Sequence, residues 1–360
     1  MSRKFPRPIK RLVIKLGSSQ IADQAFKVRT SNLSSLIEQI SVIRKKGIDV
    51  VLVSSGAIAL GMGELGEKKR PSQLAQLQAR AAIGQTVLMH TYRELFKKVN
   101  LKCAQVLLTW DDFSNRTRCS NAKHTLDAIL AQGIIPIINE NDTISTEEIK
   151  FGDNDKLSAL VASLLVNADL LVILSDVEGF YDQNKKVFKE IPAITPEIIT
   201  MSSGTANAQM ARGGMLTKIE AIEIAGHAKI PCVIASGNTE NVLVRSVEKD
   251  EVGTYFVEAG KKTIANRHWI AFGAKPKGAI IVDEGAKTAL LKGGKSLLLP
   301  GVVRFEGHFK ADDVVVICDE KNNVFARGIS NYSTSDLHKI EDKKGKQEIV
   351  HRDNLVISQE

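Results

Sequence analysis

The chain has 360 residues, of which 43% are hydrophobic, so it can bury a large core and exceeds the usual size of one domain. Two domains are therefore expected. The formal net charge of +8 indicates a general preference for anions, nucleotides included, because the lysines and arginines are scattered along the chain.

The N-terminus, the most apolar stretch and the cysteines argue against membrane and secreted classes of protein. The basic N-terminus lacks the uninterrupted apolar segment of a secretory signal. The most apolar stretch, 157–174, is interrupted by Asn167 and Asp169 and falls short of a membrane span. A soluble protein without a membrane partner is expected. No disulfide framework or zinc site is predicted, and a reducing cytoplasm is favoured, because the four cysteines are widely spaced: Cys103, Cys119, Cys232 and Cys318.

Short apolar runs rich in β-branched residues alternate with longer segments of helical period. The apolar runs cover residues 11–16, 49–54, 104–109, 134–139, 170–175 and 231–236. The helical segments between them cover residues 31–47, 72–100, 121–133, 153–167 and 216–229. This alternation predicts an α/β fold in which helices sandwich a mostly parallel sheet.

Small, polar or acidic residues follow four of the predicted strands. Gly17-Ser18-Ser19 follows the first strand and Ser55-Gly56-Ala57 the second, Glu140-Asn141-Asp142 follows the fourth, and Asp176 the fifth. The carboxyl ends of parallel strands meet at one edge of a sheet, where ligands of such folds bind. The four turns together therefore predict a site at this edge.

Lys15 lies within the first apolar run, although lysine is seldom fully buried. Either its stem lies along apolar neighbours while the ammonium group reaches water, or an opposite charge offsets it. A second lysine, Lys218, ends the segment "ARGGMLTK", in which Thr217 is placed to cap a helix that begins near Leu216. Two lysines from different elements would suit a phosphoryl group, whose transfer needs positive charge around its oxygens.

An acidic segment, "GDNDK", places Asp153 and Asp155 on either side of Asn154. A capped helix start explains this pattern as well as a site does. In the functional interpretation, one aspartate orients the lysines or a nucleotide-bound Mg²⁺, and Asn154 contacts the substrate. The segment "INENDTIS" at 138–145 indicates a polar pocket for a small zwitterion.

The pattern changes after about Thr254, where short strands separated by turns begin. We expect a catalytic domain over 1–258, a linker over 259–278 and a small, mostly β domain over 279–357. The segment "LLKGGKSLL" in this last part is not a P-loop, because Ala289 stands where that motif needs glycine. A surface hairpin turn is predicted there.

Six motifs together carry a resemblance that covers nearly the whole chain. "VIKLGSS", "VSSGAIALG", "INENDTIS", "FGDNDKLSAL", "LSDVEGFY" and "GGMLTK", in this order, resemble the glutamate 5-kinases of the amino-acid kinase family. "VDEGA", "SLLLPG", "ARGISNY" and "HRDNLV" resemble the PUA-type domain that bacterial members append. The resemblance implies an amino-acid kinase fold and ATP-dependent phosphorylation of the glutamate side-chain carboxylate, the first step of proline synthesis.

The resemblance also implies roles for individual residues. Lys15 would hold ATP phosphate, and Lys218 with Asp155 would organise the transferring phosphoryl group. Glutamate would be bound by Ser55, Asp142 and Asn154. The nucleotide would contact Gly17, Ser18, Ser175, Asp176, Arg212, Gly213, Gly214, Met215, Leu216, Thr217 and Lys218. No metal ligand among the side chains is assigned, and Mg²⁺ is expected with the ATP.

Regulation and assembly are further implications of the resemblance. Proline would inhibit by occupying the amino-acid end of the glutamate pocket, in the loop Asn139–Asp155, which Glu147, Glu148 and Lys150 would shape. A homo-oligomer is expected. Two departures from the family pattern are Ala211-Arg212, where Gly-Thr is frequent, and Ser175 in place of a threonine.

Two alternative functions stay open at this point. One is a kinase for another acid, N-acetylglutamate or aspartate. The other is an RNA-binding protein, which the basic charge and the PUA-type module favour. The low aromatic content of 5% and the lack of an aromatic-rich strand in the first two-thirds argue against the second.

Overall fold

The computed structural model describes residues 5–145, 154–203, 214–248, 251–258, 265–339 and 347–357. The chain divides into two compact units. The first comprises Met1–Asp112 and Arg116–Lys262, and the second comprises Phe113–Asn115 and Thr263–Glu360. No helix of the described ranges combines the length and the apolar character needed to cross a membrane.

One large sheet organises the described part of the first unit. Its strands are β1 (Arg11–Leu16), β2 (Asp49–Val53), β3 (Cys103–Leu108), β4 (Ile135–Glu140), β5 (Leu170–Ser175), β6 (Glu190–Ile191), β7 (Cys232–Ser236) and β8 (Thr254–Phe256). They are arranged in the order β3-β4-β2-β1-β5-β7-β8-β6. Neighbouring strands run parallel except β7 and β8. The predicted α/β class is confirmed.

Helices follow most of these strands, as the alternating pattern predicted. They are α1 (Ser18–Ile21), α2 (Thr30–Lys45), α3 (Ala57–Glu64), α4 (Leu74–Lys98), α5 (Trp110–Ser114), α6 (Arg116–Ala131), α7 (Asp155–Leu160), α8 (Pro196–Ser203), α9 (Met215–His227) and α10 (Val242–Val247). A π-helical turn, Val161–Leu165, extends α7.

The central strand β1 is buried on both faces. Leu12, Ile14 and Leu16 lie in the main hydrophobic core with side chains from β2, β5, α2 and α4. Because side chains alternate along a strand, Lys15 points to the opposite face from these three residues. The position of β1 between β2 and β5 therefore brings Lys15 to the middle of the sheet.

Close packing of α3 against α4 fixes the turn that follows β2. A Cβ atom on Gly84 of α4 would lie 1.8 Å from the carbonyl oxygen of Ala57, the first residue of α3. Only glycine permits this approach, since any side chain would force the two helices apart. The turn at Ser54–Gly56 is therefore held against α4.

The second unit is mostly β. Its strands are β9 (Gly278–Val282), β10 (Leu297–Leu298), β11 (Val302–Gly307), β12 (Val314–Cys318), β13 (Val324–Ile329), β14 (Glu348–Val350) and β15 (Leu355–Ile357). Five of them form a sheet in the order β11-β9-β12-β13-β15, and β10 pairs with β14 in a second, two-stranded sheet. Its helices are α11 (Ala265–His268), α12 (Glu284–Gly293) and α13 (Thr334–Lys339), with a π-helical turn at Trp269–Gly273 and 3₁₀ turns at Leu299–Gly301 and Arg352–Asn354. Part of the predicted linker is thus helical.

The predicted hairpin turn around Gly294 is wrong, because α12 ends there. Asp283 caps this helix by accepting a hydrogen bond from the backbone N–H of Ala286 at 2.7 Å. Gly294 follows the last helical residue with φ of 54°, the left-handed conformation that commonly ends a helix. The segment between Asp283 and Gly294 has the residues of a capped helix, which the sequence interpretation overlooked.

Candidate active site

The candidate site lies at the carboxyl ends of the central strands of the large sheet. β4, β2, β1, β5 and β7 are consecutive neighbours and run in one direction, so the residues after each strand meet at one edge. The ends of β4 and β2 form one half of this edge, and the ends of β5 and β7 form the other. β1, which carries Lys15, separates the two halves.

Lys15 and Lys218 are brought together by one carboxylate. The ammonium nitrogen of Lys15 lies 2.6 Å from Oδ1 of Asp155, and that of Lys218 lies 3.2 Å from Oδ2 of the same residue. The side chains of both lysines are 6% exposed and that of Asp155 is 0% exposed. Lys15 of the first strand is therefore buried against an opposite charge and does not reach into open solvent.

The three groups carry one more positive than negative charge. Buried charges are costly unless they are paired, and an added anion would offset the excess positive charge of these three groups. A phosphoryl group, with charge spread over several oxygens, has the chemistry to lie between two lysines. The cluster brings two buried ammonium groups to the edge at which the site is predicted.

The hydroxyl of Thr217 belongs to this cluster and does not cap α9 as predicted. Its single proton is shared between two acceptors, the carbonyl oxygen of Gly214 at 2.8 Å and Oδ2 of Asp155 at 3.3 Å. The helix begins at Met215, one residue earlier than expected, with Gly214 at its N-cap position. Lys218 therefore lies in the first turn of α9 with its side chain buried.

The amide of Asn154 has a defined orientation. Its Nδ2 donates to the carbonyl oxygen of Ser54 at 2.5 Å, to Oδ1 of Asn139 at 2.8 Å and to Oγ of Ser55 at 3.2 Å. A carbonyl oxygen can only accept, so the nitrogen must face Ser54 and the amide oxygen must face the other way. That oxygen is buried and accepts no hydrogen bond from any residue of the described ranges. Asn154 thus offers a buried acceptor.

Asn139 is oriented in turn by Gln85. The backbone N–H of Glu140 donates to Oδ1 of Asn139 at 3.0 Å, which leaves Nδ2 of Asn139 to donate to Oε1 of Gln85 at 2.9 Å. Gln85 lies on α4 and was not predicted as a site residue. Its only signal in the sequence is a glutamine within the mostly apolar stretch "AAIGQTVLM".

Tyr92, also on α4, supports the turn after β2 and was likewise not predicted. Its hydroxyl shares a hydrogen bond of 3.0 Å with Oγ of Ser54. Burial raises the pKa of Tyr92 above its ordinary value, although the hydrogen bond with Ser54 partly opposes this. The phenol therefore stays neutral and acts as a fixed partner of Ser54.

Asp142 is buried in the turn that follows β4. In this turn the N–H of Asn141 donates to the carbonyl oxygen of Leu108 at 2.8 Å, and the hydroxyl of Ser145 donates to Glu140. The acidic turn after β4 therefore folds back into the protein, with buried carboxylates at Glu140 and Asp142.

The predicted nucleotide residues lie in the other half of the edge. Ser175 ends β5 and donates to Oδ1 of the exposed Asp176 at 3.0 Å. The N–H of Gly17 donates to the carbonyl oxygen of Leu174 at 3.2 Å, which places the turn after β1 beside the end of β5. Ser18 and Leu216 are exposed.

Several predicted residues lie outside the described ranges. Arg212 and Gly213 of the proposed phosphate segment are among them, as are Asp153, Glu147, Glu148 and Lys150. Within the described ranges, no cluster of three or more histidine, cysteine, aspartate or glutamate side chains has the arrangement of a metal site.

Comparison with known proteins gives matches over most of the chain. Residues 10–236 match the amino acid kinase family, and residues 278–352 match the PUA domain. Similar curated proteins include the glutamate 5-kinases of Pelobacter propionicus and Carboxydothermus hydrogenoformans. The first is 42% identical over 99% of this chain and 100% of its own length. The second is 43% identical over 99% of both chains. A glutamate 5-kinase of a Thermoanaerobacter species is 40% identical over 96% of this chain and 97% of its own.

Proposed function

This chain belongs to the glutamate 5-kinases of the amino acid kinase family, and from that premise we propose that it transfers the γ-phosphoryl group of ATP to the side-chain carboxylate of L-glutamate. The product is L-glutamyl 5-phosphate, and the reaction is the first step of proline synthesis. The observation that carries the proposal is the buried cluster of Lys15, Asp155 and Lys218.

The reaction needs charge stabilisation more than acid–base catalysis. A glutamate side chain is ionised near neutral pH, because its ordinary pKa is about 4.3. Its carboxylate oxygen can therefore attack the γ-phosphorus without a general base. One O–P bond forms, the bond between the γ-phosphorus and the bridging oxygen breaks, and ADP leaves with the electron pair. Lys15 and Lys218 would neutralise the charge on the transferring group, while Asp155 holds both ammonium groups in place.

The other half of the edge supports binding of a free amino acid. The oriented oxygen of Asn154 is an acceptor that suits the ammonium group of glutamate, and the negative carboxylate of Asp142 would attract the same group. Ser55, whose hydroxyl already contacts Asn154, would complete this subsite. An N-acetylated amino acid has one amide N–H in place of a charged ammonium group, so it suits these acceptors less well.

ATP is proposed to bind as its magnesium complex at the ends of β5 and β7. Ser175 and Asp176 would contact the nucleoside, and the turn at Gly17-Ser18 together with 212–218 would line the phosphates. Asp155 already pairs with two lysines, so the Mg²⁺ is proposed to be held by the phosphates of the substrate rather than by a resident metal site.

The direct test is a set of incubations with ATP, Mg²⁺ and one acid at a time. ADP release with L-glutamate, together with trapping of the acyl phosphate as a hydroxamate by hydroxylamine, is the expected result. N-acetylglutamate and L-aspartate are expected to give rates near background. ADP release with either of these acids in preference to glutamate contradicts the proposal.

Proline is proposed to inhibit by sharing the amino-acid end of the glutamate subsite. It carries the same α-carboxylate and a cationic amine but no side-chain carboxylate to phosphorylate. Asp142 and Asn154 would therefore bind both ligands. Initial rates over a grid of proline and glutamate concentrations test this, and inhibition that ignores the glutamate concentration contradicts it.

Assembly and location complete the proposal. A homo-oligomer is proposed from the resemblance to the family, and light scattering of the purified protein tests it. A cytoplasmic location is proposed because all four cysteines are free thiols, which fits a reducing compartment.

RNA is a second candidate partner, and the observation that favours it is the match of residues 278–352 to the PUA domain. The net charge of +8 supports attraction to a phosphate backbone. Fluorescence anisotropy with a labelled RNA hairpin, repeated at two salt concentrations, tests this binding. Anisotropy unchanged at micromolar protein contradicts it.

A further inference from the structure

The strand ends that form the proposed nucleotide half of the site are joined by a buried glutamine. Gln20 lies in α1, the helical turn that begins at Ser18 directly after Gly17, and its side chain is fully buried. Neither the sequence interpretation nor the family resemblance assigned it a role. A fully buried amide is uncommon and costs free energy unless both of its ends are hydrogen-bonded.

Both ends of the Gln20 amide are hydrogen-bonded. Nε2 donates to the carbonyl oxygen of Ser175 at 2.8 Å, and Oε1 accepts from Nδ2 of Asn32 at 3.2 Å. The same Nδ2 also donates to the backbone oxygen of Gln20 at 2.8 Å. Because the carbonyl oxygen of Ser175 can only accept, the nitrogen of the Gln20 amide must face β5.

The end of β7 is joined at the same point. The N–H of Gly237, the residue after β7, donates to the carbonyl oxygen of Ser175 at 3.1 Å. A Cβ atom on Gly237 would lie 2.1 Å from Oε1 and 2.6 Å from Cδ of Gln20. The Gln20 amide therefore packs directly on bare backbone, and the glycine is required for space.

We propose that Gln20 is a positioning residue for the nucleotide. By joining the turn after β1 to the carboxyl ends of β5 and β7, it fixes Ser175 and, through the chain, Asp176. The inference rests on the proposed function, which places the nucleotide at the ends of β5 and β7. It goes beyond that function by assigning a residue that contacts neither substrate.

The first test is Gln20→Met, which keeps the length of the side chain and removes both hydrogen bonds of the amide. Loss of one or two such bonds corresponds to about 3- to 10-fold in affinity. The affinity for ADP, measured by calorimetry without glutamate, and the KM for ATP are expected to weaken by this factor. The KM for glutamate is expected to change less than about twofold, on the scale of a few tenths of a kcal/mol.

Gln39→Met is the matched control. Gln39 is also buried, and its Oε1 accepts from the backbone N–H of Leu243 at 2.9 Å, which joins α2 to α10 rather than the turn after β1 to the ends of β5 and β7. This variant is expected to lose stability while keeping the wild-type affinity for ADP. Equal loss of ADP affinity in both variants, or wild-type ADP affinity in Gln20→Met, overturns the inference.

A second pair of variants tests the contact itself. Gly237→Ala is expected to weaken ADP binding because the new methyl group displaces the Gln20 amide. In a Gln20→Ala background the methyl group has space, so adding Gly237→Ala is expected to cost little more. If the losses of ADP affinity in the two single variants add up fully in the double variant, the proposed contact between Gln20 and Gly237 is overturned.

The inference and the proposed function fail in distinguishable ways. Wild-type protein that binds ADP but does not phosphorylate glutamate contradicts the proposed function alone. Wild-type protein that phosphorylates glutamate, combined with a Gln20→Met variant of unchanged ADP affinity, contradicts the inference alone.

Discussion

At the scale of single residues, Asp155 has the central place because both of its oxygens pair with lysines. A carboxylate in this position lets two ammonium groups approach each other in a buried site, where their repulsion would otherwise be large. The positive charge is then in place before the substrates bind. Preorganised charge of this kind stabilises a transition state without reorganisation during the reaction.

Lys218→Ala tests this arrangement. Removal of one preorganised group commonly lowers turnover by roughly 10²- to 10³-fold. We expect kcat to fall by this factor while the KM for glutamate changes little, because Lys218 pairs with Asp155 and is proposed to act on the transferring group, whereas the proposed glutamate subsite is formed by other residues. Lys156→Ala is the control, since Lys156 pairs with Glu220 at the surface, where both side chains are more than a third exposed. A folded Lys218→Ala enzyme with near-normal kcat would remove this role.

Gln85→Leu tests the hydrogen-bonded series from α4 to Asn154. Without Oε1 of Gln85, the Asn139 amide loses one of the bonds that fix its orientation, and Asn154 loses a rigid partner. The KM for glutamate is expected to rise about 3- to 10-fold, the equivalent of one buried hydrogen bond, with the KM for ATP unchanged. Gln76→Leu, at an exposed position of the same helix, is the control. Parallel increases in both KM values would show general damage instead.

At the scale of elements, the strands were the most predictable part of the molecule. All six predicted runs are strands, with ends within one residue of the observed ones. Parallel strands covered by helices are buried on both faces, so they appear in the sequence as continuous apolar runs. α12 was missed because its pattern of Asp283, small residues and a final Gly-Gly was compared with a phosphate-binding motif rather than with helix capping.

The turn between β12 and β13 provides a prediction for the second unit. Asp319 accepts from Nζ of Lys287 at 3.0 Å and from the backbone N–H groups of Lys321 and Asn323. The pKa of Asp319 lies below its ordinary value, chiefly because Lys287 donates a hydrogen bond to its carboxylate. The hydrogen bonds from the backbone and side chain of Asn323 lower this pKa further. A carboxyl group with a lowered folded-state pKa stabilises the fold above its unfolded pKa of about 4, and this contribution is lost as the pH falls below that value.

Asp319→Asn is therefore expected to unfold more easily than the wild type at pH 7. The difference between the two proteins should shrink as the pH is lowered from about 5 towards 2, because the wild-type carboxyl group becomes protonated. Urea unfolding at a series of pH values measures this difference. Glu320→Gln, at the exposed neighbouring position, controls for loss of a negative charge. A difference that stays constant with pH would contradict the assignment.

At the scale of the whole molecule, the topology of the sheet explains which site residues could be predicted. Lys15, Asp155 and Lys218 come from distant parts of the chain, and the parallel order of β2, β1, β5 and β7 brings them to one edge. The location of turns that follow parallel strands can be predicted from the sequence, because the edge at which they meet follows from strand direction alone.

The supporting residues were not predictable in this way. Gln20, Gln85 and Tyr92 form hydrogen bonds with Ser175, Asn139 and Ser54, which are 155, 54 and 38 residues away. Each of these polar residues lies within a helix, where the local sequence pattern shows only that a polar side chain is compatible with the helix and does not identify its partner. Their roles depend on which strand end each helix faces, and that is a property of the packed molecule.

The division into two units leads to the last prediction, that a chain ending at Lys275 keeps the kinase activity. Every described residue assigned to the proposed site precedes Gly237, and the first unit has its own extensive core. Ending the chain at Lys275 rather than earlier retains Trp269, whose indole N–H donates to the carbonyl oxygen of Phe113 at 2.6 Å.

We expect the kcat and both KM values of this shortened chain to lie within about threefold of the wild type, a change of less than 1 kcal/mol. Its oligomeric state, measured by light scattering, is free to differ, and so is its response to proline. A chain ending before Ala265 is the comparison, because it also removes the partner of Phe113, and it should be less stable to heat. If the chain ending at Lys275 is folded, as judged by circular dichroism and ADP binding, yet transfers no phosphoryl group, the second unit must contribute to the chemistry.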